Sequence, residues 1–289
     1  MMTIAAHVCS YESKLTLTLE RVTLVTIKDI AKAAGVSHTT VSRALKGNPA
    51  ISPETRARIQ ELARQMDYTP SAVAQSLLSQ RTHTVGMVVT TIADPFVARV
   101  VEGVESVAHA AGYSVFLCNS HDDPEREIEV VETLHRRRVD VIIVTSSRVG
   151  SLYGKRLDQI RVPIVLINNQ GEGQYLYSVA VDDIQGAQLA VEHLLALEHR
   201  RIGYVGTVRR PRSSQRRFAG YQQALQQAGI ELDLALIPPL VTKNDIQQGE
   251  EALEYLLTAA ATAVFCYNDL IAIGLLGPVI AEELLCPRN

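Results

Sequence analysis

VTIKDIAKAAGVSHTTVSRALKGNPAISPETRARIQELARQMDYTPSAVAQSLL, residues 25–78, carries three helical patterns in succession. Thr26 can cap the first, with Asp29 three residues on as a weaker capping-box partner. Ile27, Ile30, Ala31 and Ala34 recur at helical spacing and give one apolar face. Gly35 supplies the left-handed residue that ends the helix. Ser37 can cap a second helix, His38 to Leu45. Two short helices joined by a tight glycine turn form a helix-turn-helix.

The second helix has two unlike faces. Val41, Ala44 and Leu45 point toward the first helix. His38, Thr39, Ser42, Arg43 and Lys46 fall on the other side and are suited to base edges and phosphates. The capping residues Thr26 and Ser37 are counted with this DNA-facing set. Ser52 and Pro53 open a third helix, with Ile59, Leu62 and Met66 on its inner face. Short helix-turn-helix matches are common by themselves. The third helix and the segment after it make this one specific.

TIKDIAKAAGVSHTTVSRAL followed by TPSAVAQSL resembles the headpiece and hinge of the LacI/GalR family of bacterial transcription regulators. The resemblance runs on to about Leu276. Pro70 can open a new helix, but Ser71 to Leu78 is too short to be stable alone. In the family the matching segment is a hinge helix that orders on DNA and pairs with its dimer mate. The resemblance makes Leu77 the residue pushed into the minor groove, with Val73 and Ala74 packed beside it. It also implies an order of parts: a disordered leader over 1–23, the helix-turn-helix domain over 24–69, and hinge and linker over 70–81. An effector-binding body then fills 82–289, with subdomains of about 82–181 and 182–289.

The net charge of the 289-residue chain is −3, which by itself argues against broad nucleic-acid affinity. The distribution argues otherwise. Residues 24–81 hold eight Lys and Arg against four Asp and Glu, so a basic head sits on an acidic body. Cys9, Cys118, Cys266 and Cys286 form no CxxC pair, and no histidine stands at zinc-ligand spacing. Free thiols, a reducing cytoplasm, no metal and no cofactor are the expectations. No apolar run is long enough to span a membrane, and residues 1–21 lack the pattern of a signal peptide.

From Thr82 apolar strands alternate with amphipathic helices, which indicates α/β folding around parallel sheets covered on both faces. VGMVVT (85–90), YSVFLCN, VDVIIVT and PIVLIN read as strands of a first set. The helix over 95–112 is expected to bury Phe96, Val97, Val100, Val101, Val104 and Val107. A second set contains RIGYVG and TAVFCYND as strands. Two such sets in tandem give two Rossmann-like subdomains facing a cleft, the periplasmic-binding-protein architecture that the family shares.

In open α/β sheets ligands bind beyond the carboxyl ends of the strands. Those ends carry Asp94, Phe96, Asn119, Thr145, Ser146, Asn168, Asn169, Asp182, Asp183, Asn268 and Asp269. Carboxylates and amides can pair with sugar hydroxyls, and Phe96 offers a face to a ring. The resemblance assigns effector contacts to Arg217, in SSQRRFAGY, and to Asn268. It matches Asp94 and Phe96 to the first-strand loop. Asn168 and Ser213 complete the candidate set. Asn and Asp at strand ends serve equally as caps and turns. The basic run Arg209, Arg210, Arg212 and Arg216 reads as a solvated loop, with an acidic or phosphorylated effector as the alternative.

No catalytic residues are assigned. The chain has no GxSxG, no P-loop, no metal-spaced histidine pair and no GxGxxG; IGYVG (202–206) has two glycines at the wrong spacing. The expected function is a cytoplasmic regulator, more a repressor than an activator. It binds a pseudo-palindromic operator as a homodimer under a sugar-like effector. The alternatives are a family member lacking effector response, or a sugar-binding protein without a regulatory role. From Gly277 the residues no longer resemble the family, whose members continue with further strands. The expectation is therefore a C-terminally truncated chain with a loosened body.

Overall fold

A computed structural model describes residues 25–71, 76, 79–147, 149, 162–169, 177–242 and 244–281. The chain divides at residues 80–81 into two compact units.

In the first unit, α1 (Ile27–Ala34), α2 (His38–Leu45) and α3 (Pro53–Gln65) form the expected three helices. Their starts are fixed by side chains. The Thr26 N–H and hydroxyl both donate to Asp29 Oδ2, at 2.8 and 2.7 Å. Ser37 Oγ accepts from the Thr40 N–H at 3.1 Å, and Ser52 Oγ accepts from the Thr55 N–H at 3.3 Å. Gly35 ends α1 at φ 66°. Ile30, Val41, Ala44 and Ile59 are fully buried between the helices. Each of the larger three contributes roughly 1.5–3 kcal/mol by leaving water. Arg58 donates to the Ala34 carbonyl at 2.7 Å and caps the end of α1, while Arg56 donates to the Asn48 and Ile51 carbonyls.

The second unit begins with β1 (Thr84–Val89), α4 (Pro95–Ala110), β2 (Ser114–Asn119), α5 (Pro124–Arg136) and β3 (Val141–Thr145). β4 (Ile164–Ile167) and β5 (Ser178–Val179) complete a five-stranded sheet of order β2-β1-β3-β4-β5, parallel throughout. Val88, Ile142, Val144 and Leu166 face Ile128, Val131 and Leu134 of α5. Met87 and Val89 face Val97 of α4 on the other side. Two expectations need correction. β2 is an edge strand, so Phe116 and Leu117 remain exposed rather than covered on both faces. In α4, Val97 is buried and Val100, Val101 and Val104 pack beside it, but Phe96 and Val107 are exposed and Ala108 takes the inward position. The inward run Val97, Val101, Val104, Ala108 keeps the helical repeat; Val107 lies about a quarter of a turn off it.

The chain continues with α6 (Asp183–Ala196), β6 (Ile202–Val205), α7 (Pro211–Gln227), a 3₁₀ turn (Leu234–Leu236), α8 (Asp245–Thr258), β7 (Ala263–Cys266) and α9 (Asp269–Ala281). Among the described residues β6 and β7 form a separate parallel pair. One face packs Ile202, Tyr204 and Phe265 on Val191, Tyr221 and Leu225. The other packs Val205 and Tyr267 on Ala252, Leu256 and Ile271. Burial pushes the Tyr204 and Tyr221 phenols up to about 12. Their hydroxyls donate to the carbonyls of Ser214 and Ile202, at 3.0 and 2.7 Å. Cys118 and Cys266 are free thiols, and burial pushes Cys266 up to about 12. No described helix is long and apolar enough to cross a membrane. No cluster of His, Cys, Asp and Glu that could hold a metal occurs among the described residues.

Candidate functional site

The first unit presents one polar face. His38, Thr39, Arg43 and Lys46 of α2 are exposed, and Ser42 is half-buried beside them. Thr26 and Ser37 are exposed too, but their side chains serve as caps of α1 and α2. Lys28, Lys32, Arg43 and Lys46 make no hydrogen bond or ion pair among the described residues. Arg56 and Arg58 hold carbonyls and Arg64 pairs with Glu61 at 2.7 Å. Side chains at the start of a second helix, with unpaired cations at its end and on α1, suit a groove bordered by phosphates. Val73, Ala74 and Leu77 lie outside the described residues.

In the second unit a cavity of about 490 Å³ lies at the carboxyl ends of the strands. All six candidate effector residues line it: Asp94, Phe96, Asn168, Ser213, Arg217 and Asn268. Ser146, Asp183, Arg210, Tyr267 and Asp269 line it with them. Asp94 is the cap of α4, accepting from the Phe96 N–H at 2.9 Å. That tight cap turns Phe96 out of the helix's inward face and into the cavity wall. Arg217 is held on three sides. Its Nε donates to Asp183 Oδ1 at 2.8 Å, its Nη1 donates to the Tyr267 carbonyl, and its guanidinium carbon lies 4.5 Å from the Tyr267 ring centre. Nη2 makes no hydrogen bond among the described residues, and Arg217 lines the cavity. Ser213 Oγ lies 2.7 Å from the Tyr267 hydroxyl. Asn168, in the left-handed region at φ 49°, accepts from the Val181 N–H at 3.1 Å.

Arg210 overturns the expectation of a solvated basic loop. Its side chain is only 13% exposed, and it donates to Asp94 across the cleft. Burial works against its charge, but the Tyr267 and Asp94 side chains outweigh it and hold its pKa above the usual arginine value. The sequence marked Arg210 as one of four bases in a run; nothing in it pointed to a partner 116 positions away. Tyr267 carries no signal of its own in the sequence, standing between an apolar strand and Asn268.

Residues 82–279 match the family of periplasmic binding proteins and sugar binding domain of the LacI family. Residues 26–71 match that of bacterial regulatory proteins, lacI family. The transcriptional repressor PurR of Haemophilus influenzae is 31% identical, over 92% of this chain and 79% of its own length. The chain belongs to the LacI family. Another relative, the transcriptional regulator GalR of Escherichia coli, is 34% identical over 88% of this chain and 74% of its own. Of the solved structures, the Lac repressor dimer bound to operator and an anti-inducer shares the fold. Its TM-score is 0.77 at 24% identity, over 90% of this chain and 78% of that one. The complex of the regulator CelR with cellobiose aligns at TM-score 0.60 and 28% identity, over 89% of this chain and 78% of that one. LacI-family membership accounts for a helix-turn-helix and a cleft body in one chain.

Proposed function

We propose that this chain is a cytoplasmic transcription repressor that binds a pseudo-palindromic operator as a homodimer. A small sugar-like or sugar-derived molecule in the cleft tunes that binding, and the chain carries out no catalysis. The observation that carries the reading is the pairing, in one chain, of an exposed His38–Thr39–Arg43 face with a cavity lined by six polar or aromatic candidates. The names of PurR and GalR, and the cellobiose bound by CelR, support it. In this reading His38, Thr39 and Arg43 read base edges while Lys28, Lys32 and Lys46 hold phosphates. Leu77, with Val73 and Ala74, acts as the minor-groove wedge. In the body, Arg217 Nη2 and the Asn268 amide hold ligand hydroxyls and Phe96 covers a ring face.

Two measurements test this. Selection from fragmented genomic DNA should return sites with two-fold symmetry, half-sites about one helical turn apart. Recovery of asymmetric or unrelated fragments would reject the operator reading. A thermal-shift screen of sugars and sugar phosphates should give a stabilising ligand whose affinity falls in Arg217→Ala. Unchanged affinity would remove Arg217 from the site.

A further inference from the structure

We propose that Asp245 is a positioning residue that fixes the Asn268 amide, so that Asn268 offers the cleft one donor and one acceptor in a set order. The proposal rests on the effector reading in one respect, that Asn268 faces the ligand.

Asp245 opens α8 and is 4% exposed, yet it does not line the cavity. Its Oδ1 accepts from the Thr207 hydroxyl at 2.7 Å, and its Oδ2 accepts from Asn268 Nδ2 at 2.8 Å. Thr207 lies just past β6 and Asn268 just past β7, so one carboxylate ties two strand ends to the start of a helix. The Thr207 oxygen accepts from the Arg209 N–H at 3.2 Å, which leaves its single proton directed at Asp245. At its other end Asn268 Oδ1 accepts from the Ile271 N–H at 3.0 Å and caps α9.

An asparagine amide has two ends of nearly equal shape, and on an open surface either orientation serves. Here reversal is opposed twice. Oδ1 would meet a carboxylate oxygen, and Nδ2 would meet a backbone N–H. Both would leave partly buried polar groups unmatched. A backbone N–H alone would select the orientation through one contact; Asp245 adds the second and brings a full charge to it. What remains for a ligand is one N–H and one lone pair, in fixed places. A hydroxyl, which can accept and donate, satisfies both; a group that only accepts or only donates leaves one unmatched. Asp245 thus acts on ligand choice without touching the ligand, and favours hydroxyl-bearing molecules at this position.

The test uses the full chain. The Asn268 side-chain amide is assigned by nuclear magnetic resonance from its disappearance in Asn268→Ala. In the parent its carboxylate-facing proton should lie downfield and exchange slowly. Asp245→Asn should abolish these features, while Thr207→Val should keep them. An ordinary, freely exchanging amide in the parent, or one unchanged in Asp245→Asn, overturns the proposal, and the parent's own amide signal decides it even if that variant does not fold. Calorimetry with cellobiose and ribose supplies the second readout. Asp245→Asn should weaken the sugar that binds by about tenfold, and by less than twofold in an Asn268→Ala background. Losses that simply add would also overturn it. If Asn268→Ala leaves sugar affinity unchanged, or neither sugar binds, the effector reading fails at that point. The amide signature still decides whether Asp245 holds Asn268.

Discussion

Arg43 stands exposed in the last turn of α2 with no side-chain partner among the described residues, which suits its guanidinium fork to a guanine edge. Arg43→Ala should cost about 1–3 kcal/mol and relax preference at one base-pair position. Gel shifts on a set of single-base operator variants check this, and an equal loss across all variants would give Arg43 a phosphate role instead. This much was legible in the sequence, because helical spacing places Arg43 opposite Val41 and Ala44. Arg210 was not legible, since its partner comes from the other subdomain. The Arg210–Asp94 pair is nearly buried, with side chains 13% and 6% exposed. Arg210→Leu would leave Asp94 with the Phe96 N–H and no counter-charge. Because both residues border the cavity, the expected loss is about 1–3 kcal/mol, below that for a fully enclosed pair. Denaturant titration of the parent, Arg210→Leu and Asp94→Asn/Arg210→Leu reads it. The double variant should recover part of the loss; no recovery would show that Arg210 stabilises by packing and not by charge.

At the scale of elements, most boundaries were readable because each start carries its own signal. Thr26, Ser37, Ser52 and Asp94 each precede a helix and each engages its first turn. Strand type was readable from apolar runs, but the exposure of β2 was not, because position within a sheet depends on pairing order and not on the strand's own residues. Nor could the sequence tell how closely helices cross. Gly249 of α8 and Gly274 of α9 face each other across that crossing. A Cβ on Gly249 would sit 2.1 Å from the Ile271 carbonyl oxygen, and one on Gly274 would sit 1.9 Å from that of Ile246. Both obstacles are backbone, so the helices themselves must move apart. Gly249→Ala gains helix propensity of about 1 kcal/mol, but overpacking of about 1–3 kcal/mol or more opposes it. The expected outcome is net loss of stability in the second unit, seen by hydrogen exchange as faster opening of α8 and α9 with α1–α3 unchanged. A variant as protected as the parent would mean that the crossing relaxes freely. Asp245 opens the same helix, so the variant should also disturb the Asn268 amide.

For the whole molecule, net charge and DNA affinity point in opposite directions, and distribution decides between them. The chain is −3 overall, and residues 24–81 alone carry a surplus of four positive charges. The structure narrows that further. Arg56, Arg58 and Arg64 are engaged within the headpiece, whereas Lys28, Lys32, Arg43 and Lys46 are exposed and free. With Arg43 on a base edge, the three lysines of each headpiece, if all meet phosphates, release about three counterions, and two headpieces on one operator about six. Plotting log affinity against log salt concentration should therefore give a slope of roughly −5 for a dimer on a two-fold operator, and about half that on a single half-site. Lys28→Ala should make the dimer slope shallower by about two, since each headpiece loses one contact, while the ranking of operator variants stays as in the parent. A slope near zero would show that the body's charge offsets the headpiece. An unchanged slope in Lys28→Ala would show that this lysine does not reach a phosphate.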